Sequence, residues 1–180
     1  MKLKIKVKRF KDIDGNPKVD MPKVIQKGDW VDLRTAEKVL INAPQAGFVK
    51  ENSKFRDVDL KVTLIPLGVA MELPKGFEAI MASRSSLADG MGIILGNGIG
   101  VIDYTYCGNE DEWKFPAISI RKTVIEKNTR ICQFRIQLSQ KATVWQKLKW
   151  LFCNGIELVE VDSLDSENRN GIGEGTGYED

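Results

Sequence analysis

The chain contains no histidine. That absence excludes a Ser-His-Asp triad, a Cys-His pair and any zinc site built on imidazole. Catalysis in such a chain falls to carboxylates, basic side chains, hydroxyls or a hard cation held by oxygen ligands. Cysteine is scarce: Cys107, Cys132 and Cys153 lie far apart, form no CxxC and read as free thiols of a reducing compartment. Long apolar runs are missing as well, so no segment reads as a membrane span. The opening MKLKIKVKRF alternates lysine with apolar residues, the pattern of a strand and not of a signal peptide. Nor is there a strong charge of one sign. The net charge of +2 gives no indication of a membrane or nucleic-acid surface, and a soluble intracellular protein is expected.

What is present suits one domain: 180 residues, 42% apolar and 29% charged, enough for a proper core. Lys2 to Val7 alternates with period two and predicts a half-buried strand. Asp12 to Lys18 (DIDGNPK) is a turn cluster, and Val31 to Ile41 holds another strand. Asn42 to Asp59 is polar and irregular and predicts a long surface loop or insertion. Asp59 to Met71, Glu78 to Ala82, Ala117 to Lys122 and Arg130 to Leu138 are further strands, separated by Gly/Pro turns. Gly92 to Tyr106 carries two apolar runs around a glycine-rich centre, a hairpin signal. Many short strands of this kind predict an antiparallel all-β domain. Thr143 to Asn154 (TVWQKLKWLFCN) departs from the pattern. Val144, Leu148 and Leu151 recur at helical spacing, so a short amphipathic helix is expected, packed on the domain's own surface or against a partner. After Asp162 the chain turns polar and Gly-rich, and should move freely unless a ligand orders it.

Four segments could carry chemistry. GDWVDL (Gly28–Leu33) sets two carboxylates near a strand start. SRSSL (Ser83–Leu87) joins Arg84 to the hydroxyls of Ser85 and Ser86 before a helix start, which suits phosphate, though a capping serine explains it equally well. LGNGIGVIDYTYCG (Leu95–Gly108) is a glycine hairpin able to bring its backbone against a flat ligand, with Asp103 just beyond it as a base or as a turn-forming residue. The glycine-rich tail offers Arg169 and Thr176, which could close over phosphates or simply belong to a loose terminus.

Taken in order, five segments resemble the motifs of the homotrimeric dUTP diphosphatases: GDWVDL the first, SRSSLA the second, LGNGIGVIDYTYCG the third, TRICQFRI the fourth and RNGIGEGTG the fifth. GDWVDLRTAE, PLGVAMELPKGFEA and RICQFRI look closest to a Bacillus and phage branch of that family. The resemblance covers nearly the whole chain. It departs from the family pattern at Asp29 and Trp30, at Ser83, at Thr105 where the family has a second aspartate, and at Ile172 or Glu174 where most members have a phenylalanine over the uracil. Trp113 is a candidate for that aromatic cover, with a core position as the alternative for so large a residue.

The resemblance implies an all-β, dUTPase-like antiparallel barrel or jelly-roll-like domain over residues 1–162, with a short helix. It also implies a flexible arm, residues 163–180, that closes over a neighbouring active site. It implies hydrolysis of dUTP to dUMP and diphosphate, keeping uracil out of DNA and supplying dUMP for thymidylate synthesis, in the cytoplasm of a bacterium or of a phage's host. Asp103 matches the aspartate that deprotonates the attacking water, and Tyr106 the tyrosine that leaves no room for a 2′-hydroxyl. Asn97, Gly100 and Ile102 match the positions that read the uracil edge. Arg84, Ser85, Ser86 and Gln133 would hold phosphate oxygens, with Arg169, Thr176 and Gly177 closing over the outer phosphates. Asp32 matches the aspartate expected to hold Mg²⁺ through water. The expected partners are dUTP, Mg²⁺ and two further copies of the chain sharing each active site, with no membrane and no direct nucleic-acid contact. Two rivals remain. A dCTP deaminase would need a proton-shuttling glutamate after the hairpin, where FPAISIRK has none. A non-catalytic module of this fold binding a regulatory protein is the other.

Overall fold

The computed structural model describes residues 1–24, 28–49 and 56–169. The alternation near the start becomes β1 (Leu3–Arg9), with Leu3, Ile5 and Val7 buried and the intervening lysines turned away. β1 lies between β7 (Val69–Glu72), which runs antiparallel to it, and β14 (Ile156–Glu160), which runs parallel. The expectation of antiparallel pairing alone therefore needs correcting. β14 also had no counterpart in the sequence reading, because its short apolar set acquires a face only when laid beside β1.

The second sheet holds most of the chemistry. Its order is β10 (Gly100–Asp103), β8 (Phe77–Ser83), β13 (Arg130–Leu138) and β2 (Val31–Arg34), antiparallel throughout. β13 spans the expected residues, since its period-two pattern buries Phe134 and Ile136 on one face. A third sheet orders β6 (Thr63–Pro66), β11 (Lys114–Ser119) and β9 (Ile93–Leu95).

Four expected elements differ. The apolar run from Asp59 to Met71 is two strands, because Gly68 turns the corner at φ 67° between β6 in one sheet and β7 in another. The glycine-rich segment is a tight turn but not a paired hairpin: β9 bonds to β11 while β10 bonds to β8. The segment from Asn42 to Asp59 contains a strand pair, β4 (Gln45–Val49) with β5 (Arg56–Asp59), in place of the expected loop. The single strand expected within Val31–Ile41 is likewise divided, and β3 (Val39–Ile41) pairs with β12 (Thr123–Ile125).

Among the largest fully buried side chains are Trp113, Phe77, Phe115, Phe134, Met71 and Met81. Trp113 meets Phe134 edge-on at 5.2 Å between ring centres. It is a core residue, and the idea that it covers a ligand is thereby corrected: a ring with no exposure cannot reach one. The helix α1 (Val144–Leu151) begins at a capping box formed by Thr143 and Gln146. Trp150 packs on Phe77 at 5.5 Å, yet the Val144, Leu148 and Leu151 stripe is not buried on the domain.

The sheet β6–β11–β9 is apolar on both sides. Ile65, Phe115 and Ala117 face the core. On the other face Leu64 sits opposite Pro116 and Ile94 opposite Ile118, and both Leu64 and Ile94 are exposed. An antiparallel sheet that meets water on one side normally turns polar residues there.

Candidate functional site

The first-motif aspartate ends up beside the second and fourth motifs. β2 and β8 flank β13, so Asp32 and Ala82 both register against Gln133. Arg84, just past β8, sets its Nε 3.0 Å from Asp32 Oδ1, and Arg130 Nη1 lies 3.2 Å from Oδ2. Gln133 Nε2 donates to the Ser83 carbonyl at 3.4 Å. Ser85 and Ser86 are exposed in the turn that follows, and Ser86 makes no side-chain capping bond. The helix expected after them is a single π-helical turn, Leu87–Met91, too short to contribute a dipole of its own. A cleft of about 370 Å³ opens beside Asp32 and Arg130, bordered also by Arg9, Arg34 and Lys23. The arrangement gathers guanidinium groups, hydroxyls and an amide, a chemistry suited to a polyphosphate.

The thiol of Cys132, adjacent to Gln133, is pushed up by complete burial and then by the charge of Asp32, so it is inert. All three cysteines are free.

Asp32 is also the residue expected near Mg²⁺. Among the described residues no three potential ligand groups converge on a point. A cation at Asp32 would take most of its shell from water and phosphate, which fits Mg²⁺ held through water by one carboxylate. A carboxylate has about four lone-pair sites, so bonds to Arg84 and Arg130 leave room for a water.

The third motif forms the opposite end of the site. The turn from Gly96 to Ile99 is closed by Gly98 N donating to Leu95 O, and Gly98 adopts φ 71°. Asn97 is exposed at its tip. Gly100 lies against Met81, where a Cβ would come within 3.1 Å of the methionine Cβ. Ile102 packs partly on the core and so fixes the strand that delivers Asp103. Asp103 Oδ1 accepts from the amide of Thr105 at 2.8 Å and from its hydroxyl, and Oδ2 accepts from Arg169 Nη1 at 2.6 Å. Partial burial opposes its charge, but the bonds from Thr105 and Arg169 outweigh that effect and hold the carboxyl below its ordinary value. Tyr106 donates its phenol to the Glu112 carbonyl at 3.0 Å, which locks the ring. Burial, then the charges of Asp111 and Glu112, pushes the phenol up to about 12.

The root of the arm is stitched to the same loop. Buried Asp111 accepts from Gly108 N at 2.7 Å and from Arg169 N at 3.0 Å. Asn109 Oδ1 accepts from Leu164 N, and Gly108 bridges to Ser166. At Gly108 an added Cβ would lie 2.3 Å from the Asn168 backbone, so only glycine lets the two segments touch. Thr176 and Gly177 lie outside the described residues.

Asp103 thus joins Tyr106 and Arg169, while Asp32 joins Arg84 and Gln133. One chain does not bring the two groups together. Asp103 registers with Glu78 at the start of β8, whereas Arg84 follows its end, about 20 Å away at the rise of a strand. Three contributors escaped the sequence reading. Arg130 pairs with Asp32, and its place inside the fourth-motif segment was the available signal. Thr105 was noticed only as a substitution, with nothing to indicate that it grips Asp103. Arg135 explains the unusual first motif, because it lies 3.5 Å from Asp29 and 5.7 Å from the centre of the Trp30 ring.

Comparison with known proteins bears on the fold and the family. The family model for dUTPase matches residues 49–148. An SPbeta prophage-derived deoxyuridine 5'-triphosphate nucleotidohydrolase of Bacillus subtilis is 41% identical over 149 residues, 83% of this chain and 84% of the relative. A deoxyuridine 5'-triphosphate nucleotidohydrolase of Finegoldia magna is 35% identical over 66% of this chain and 73% of its own length. The crystal structure of the dUTPase from Streptococcus mutans superposes with a TM-score of 0.60 at 22% identity, covering 76% of this chain and 98% of that one. With the family model spanning more than half of the chain and a relative aligned along five-sixths of it, this chain belongs to the dUTPase family.

Proposed function

We propose that this chain hydrolyses dUTP to dUMP and diphosphate at sites that neighbouring copies share. The reading rests on Asp103, an ionised and accessible carboxylate held in a fixed orientation at the exit of a glycine-rich turn. In the mechanism, water attacks the α phosphorus, Asp103 takes its proton, and diphosphate leaves. A base with a lowered pKa is charged at neutral pH and ready to accept that proton. Tyr106, locked through Glu112, presents its ring to the sugar and blocks a 2′-hydroxyl. Asn97, Gly100 and Ile102 line the uracil edge, and the tight turn excludes a 5-methyl group.

Arg84, Ser85, Ser86 and Gln133 hold phosphate oxygens and stabilise charge that grows on them as the bond breaks. Asp32 would hold Mg²⁺ through water, and the ion would add neutralisation of that charge. Arg169 would have to leave Asp103 before the carboxylate could act as a base, and the phosphates offer it an alternative partner. Arg169, Thr176 and Gly177 then close over the outer phosphates. Released dUMP suits thymidylate synthesis, and removal of dUTP keeps uracil out of DNA.

Sharing follows from distance. With Asp103 and Arg84 about 20 Å apart in one chain, a base must face the phosphate grip of another copy. The apolar outer face of β6–β11–β9, with Leu64 and Ile94 exposed, supports association of copies, and a ring of three accommodates the arm of the third. The test is diphosphate release from dUTP with Mg²⁺, run on the natural chain and on Asp103→Asn. Turnover lost in the variant is the expected result. No turnover by the natural chain, or ammonia released from dCTP, would overturn the reading.

A further inference from the structure

Helix α1 is mounted on the domain the opposite way round from what its pattern leads one to expect. Its inward contacts are polar or isolated: Gln146 Nε2 donates to the Lys75 carbonyl at 2.9 Å, and Trp150 meets Phe77. Val144, Leu148 and Leu151, spaced i, i+4 and i+7, gather with Trp145 and Phe152 into one arc of about 120° on a helix of 3.6 residues per turn. That arc faces outward. Val144 is 69% exposed, Trp145 80%, Leu151 75% and Phe152 76%. Scattered exposed apolar residues are ordinary in a folded protein, but a contiguous patch of two aromatic rings and three aliphatic chains is not. The capping box and the two inward contacts fix the helix before any partner arrives.

The charge around the arc is of one sign. Lys147 and Lys149 border it on either side, Lys141 precedes it, and no Asp or Glu occurs from Ser139 to Gly155. All three lysines are exposed, and none is in an ion pair among the described residues. Lysines flanking an apolar face on both sides can extend their ammonium groups to anionic headgroups while the face enters the layer below. Trp145 has the amphipathic ring favoured at that depth.

We propose that α1 is a membrane-surface contact that seats its apolar arc in the headgroup region of an anionic bilayer. The attachment is peripheral, since no described helix is long and apolar enough to cross a membrane. The small net charge of the chain does not oppose it, because attraction at ordinary ionic strength acts over about 10 Å and is set by the local lysines.

The experiment is co-sedimentation of the full chain at low salt with vesicles of equal parts phosphatidylglycerol and phosphatidylcholine, and with phosphatidylcholine alone. Binding to the anionic vesicles is expected. It should fall by about tenfold or more in Leu151→Asp and in the double variant Lys147→Glu/Lys149→Glu, with melting temperature and dUTP turnover unchanged. These side chains are exposed, so the variants fold. The proposal is overturned if the natural chain stays in the supernatant with anionic vesicles, or if the variants bind as it does. It is equally overturned if Leu151→Asp abolishes a larger assembly in sedimentation velocity while no vesicle binding is seen, which would make the arc a contact between proteins.

Discussion

Thr105 holds Asp103 through two bonds to one oxygen, its amide and its hydroxyl both donating to Oδ1. The second aspartate of the family motif is thereby replaced by a donor that favours the charged form of its neighbour. Thr105→Val keeps the amide bond and removes the hydroxyl. The acid limb of kcat/KM should move to higher pH, and activity on that limb should fall roughly three- to tenfold, the size expected when one hydrogen bond to a charged and partly screened group is lost. Thr105→Ser should restore the natural profile. The sign follows from the direction of the shift: a carboxyl held below its ordinary value stays ionised to lower pH, and losing a donor brings its titration back up. A limb unmoved in Thr105→Val would remove Thr105 from the mechanism.

If the site is assembled from neighbouring copies, two defective chains can repair each other. Asp103→Asn and Arg84→Ala, each inactive alone, should regain a fraction of natural turnover when unfolded together and refolded as mixed assemblies. A site contained in one chain would regain none. Sedimentation of Ile94→Lys, a change on the exposed face of β9, should show smaller species and loss of turnover together.

Tyr106 should resist ionisation. Its phenol is pushed up to about 12, so absorbance near 295 nm should show one tyrosine ionising only as the pH approaches about 12. A group whose pKa is raised by folding contributes stability that is complete below the unfolded value and is lost as pH rises through the folded one. The alkaline side of the stability curve should therefore steepen between about pH 10 and 12, and Tyr106→Phe should flatten it while costing about 1 kcal/mol at neutral pH for the lost bond to Glu112.

Trp113 is fully buried, and its indole nitrogen has no hydrogen-bond partner. Trp113→Ala should cost about 3–5 kcal/mol through the cavity it leaves. Trp113→Phe should cost far less, because the ring it keeps packs against Phe134 and the donor it loses is unpaired. Chemical denaturation of the pair measures the difference. Equal losses would mean that the indole nitrogen is satisfied after all.

Period-two alternation sufficed for β1 and β13, and helical spacing sufficed for α1. These signals are local. What escaped depends on pairing between distant segments. The run from Asp59 to Met71 reads as one strand because both halves are apolar, and only the demands of two separate sheets make Gly68 a corner. The strands β4 and β5 escaped because the pairing that joins them is invisible in composition. The same division holds at the site. Asp32, Arg84 and Gln133 could be named from their motifs and do converge. The attachment of Arg130 to Asp32, of Arg135 to Trp30, and of Thr105 to its neighbour depends on angles and distances that residue types do not encode.

Gly108 carries a consequence out of proportion to its size. Its bare α-carbon lies where the polypeptide returns to meet Asn168, and the buried carboxylate of Asp111 ties both strands of that crossing. One methyl group at this point would wedge the crossing apart and turn a fixed anchorage into a free end. The bonds that hold Asn168 and Arg169 against the loop would be lost with it.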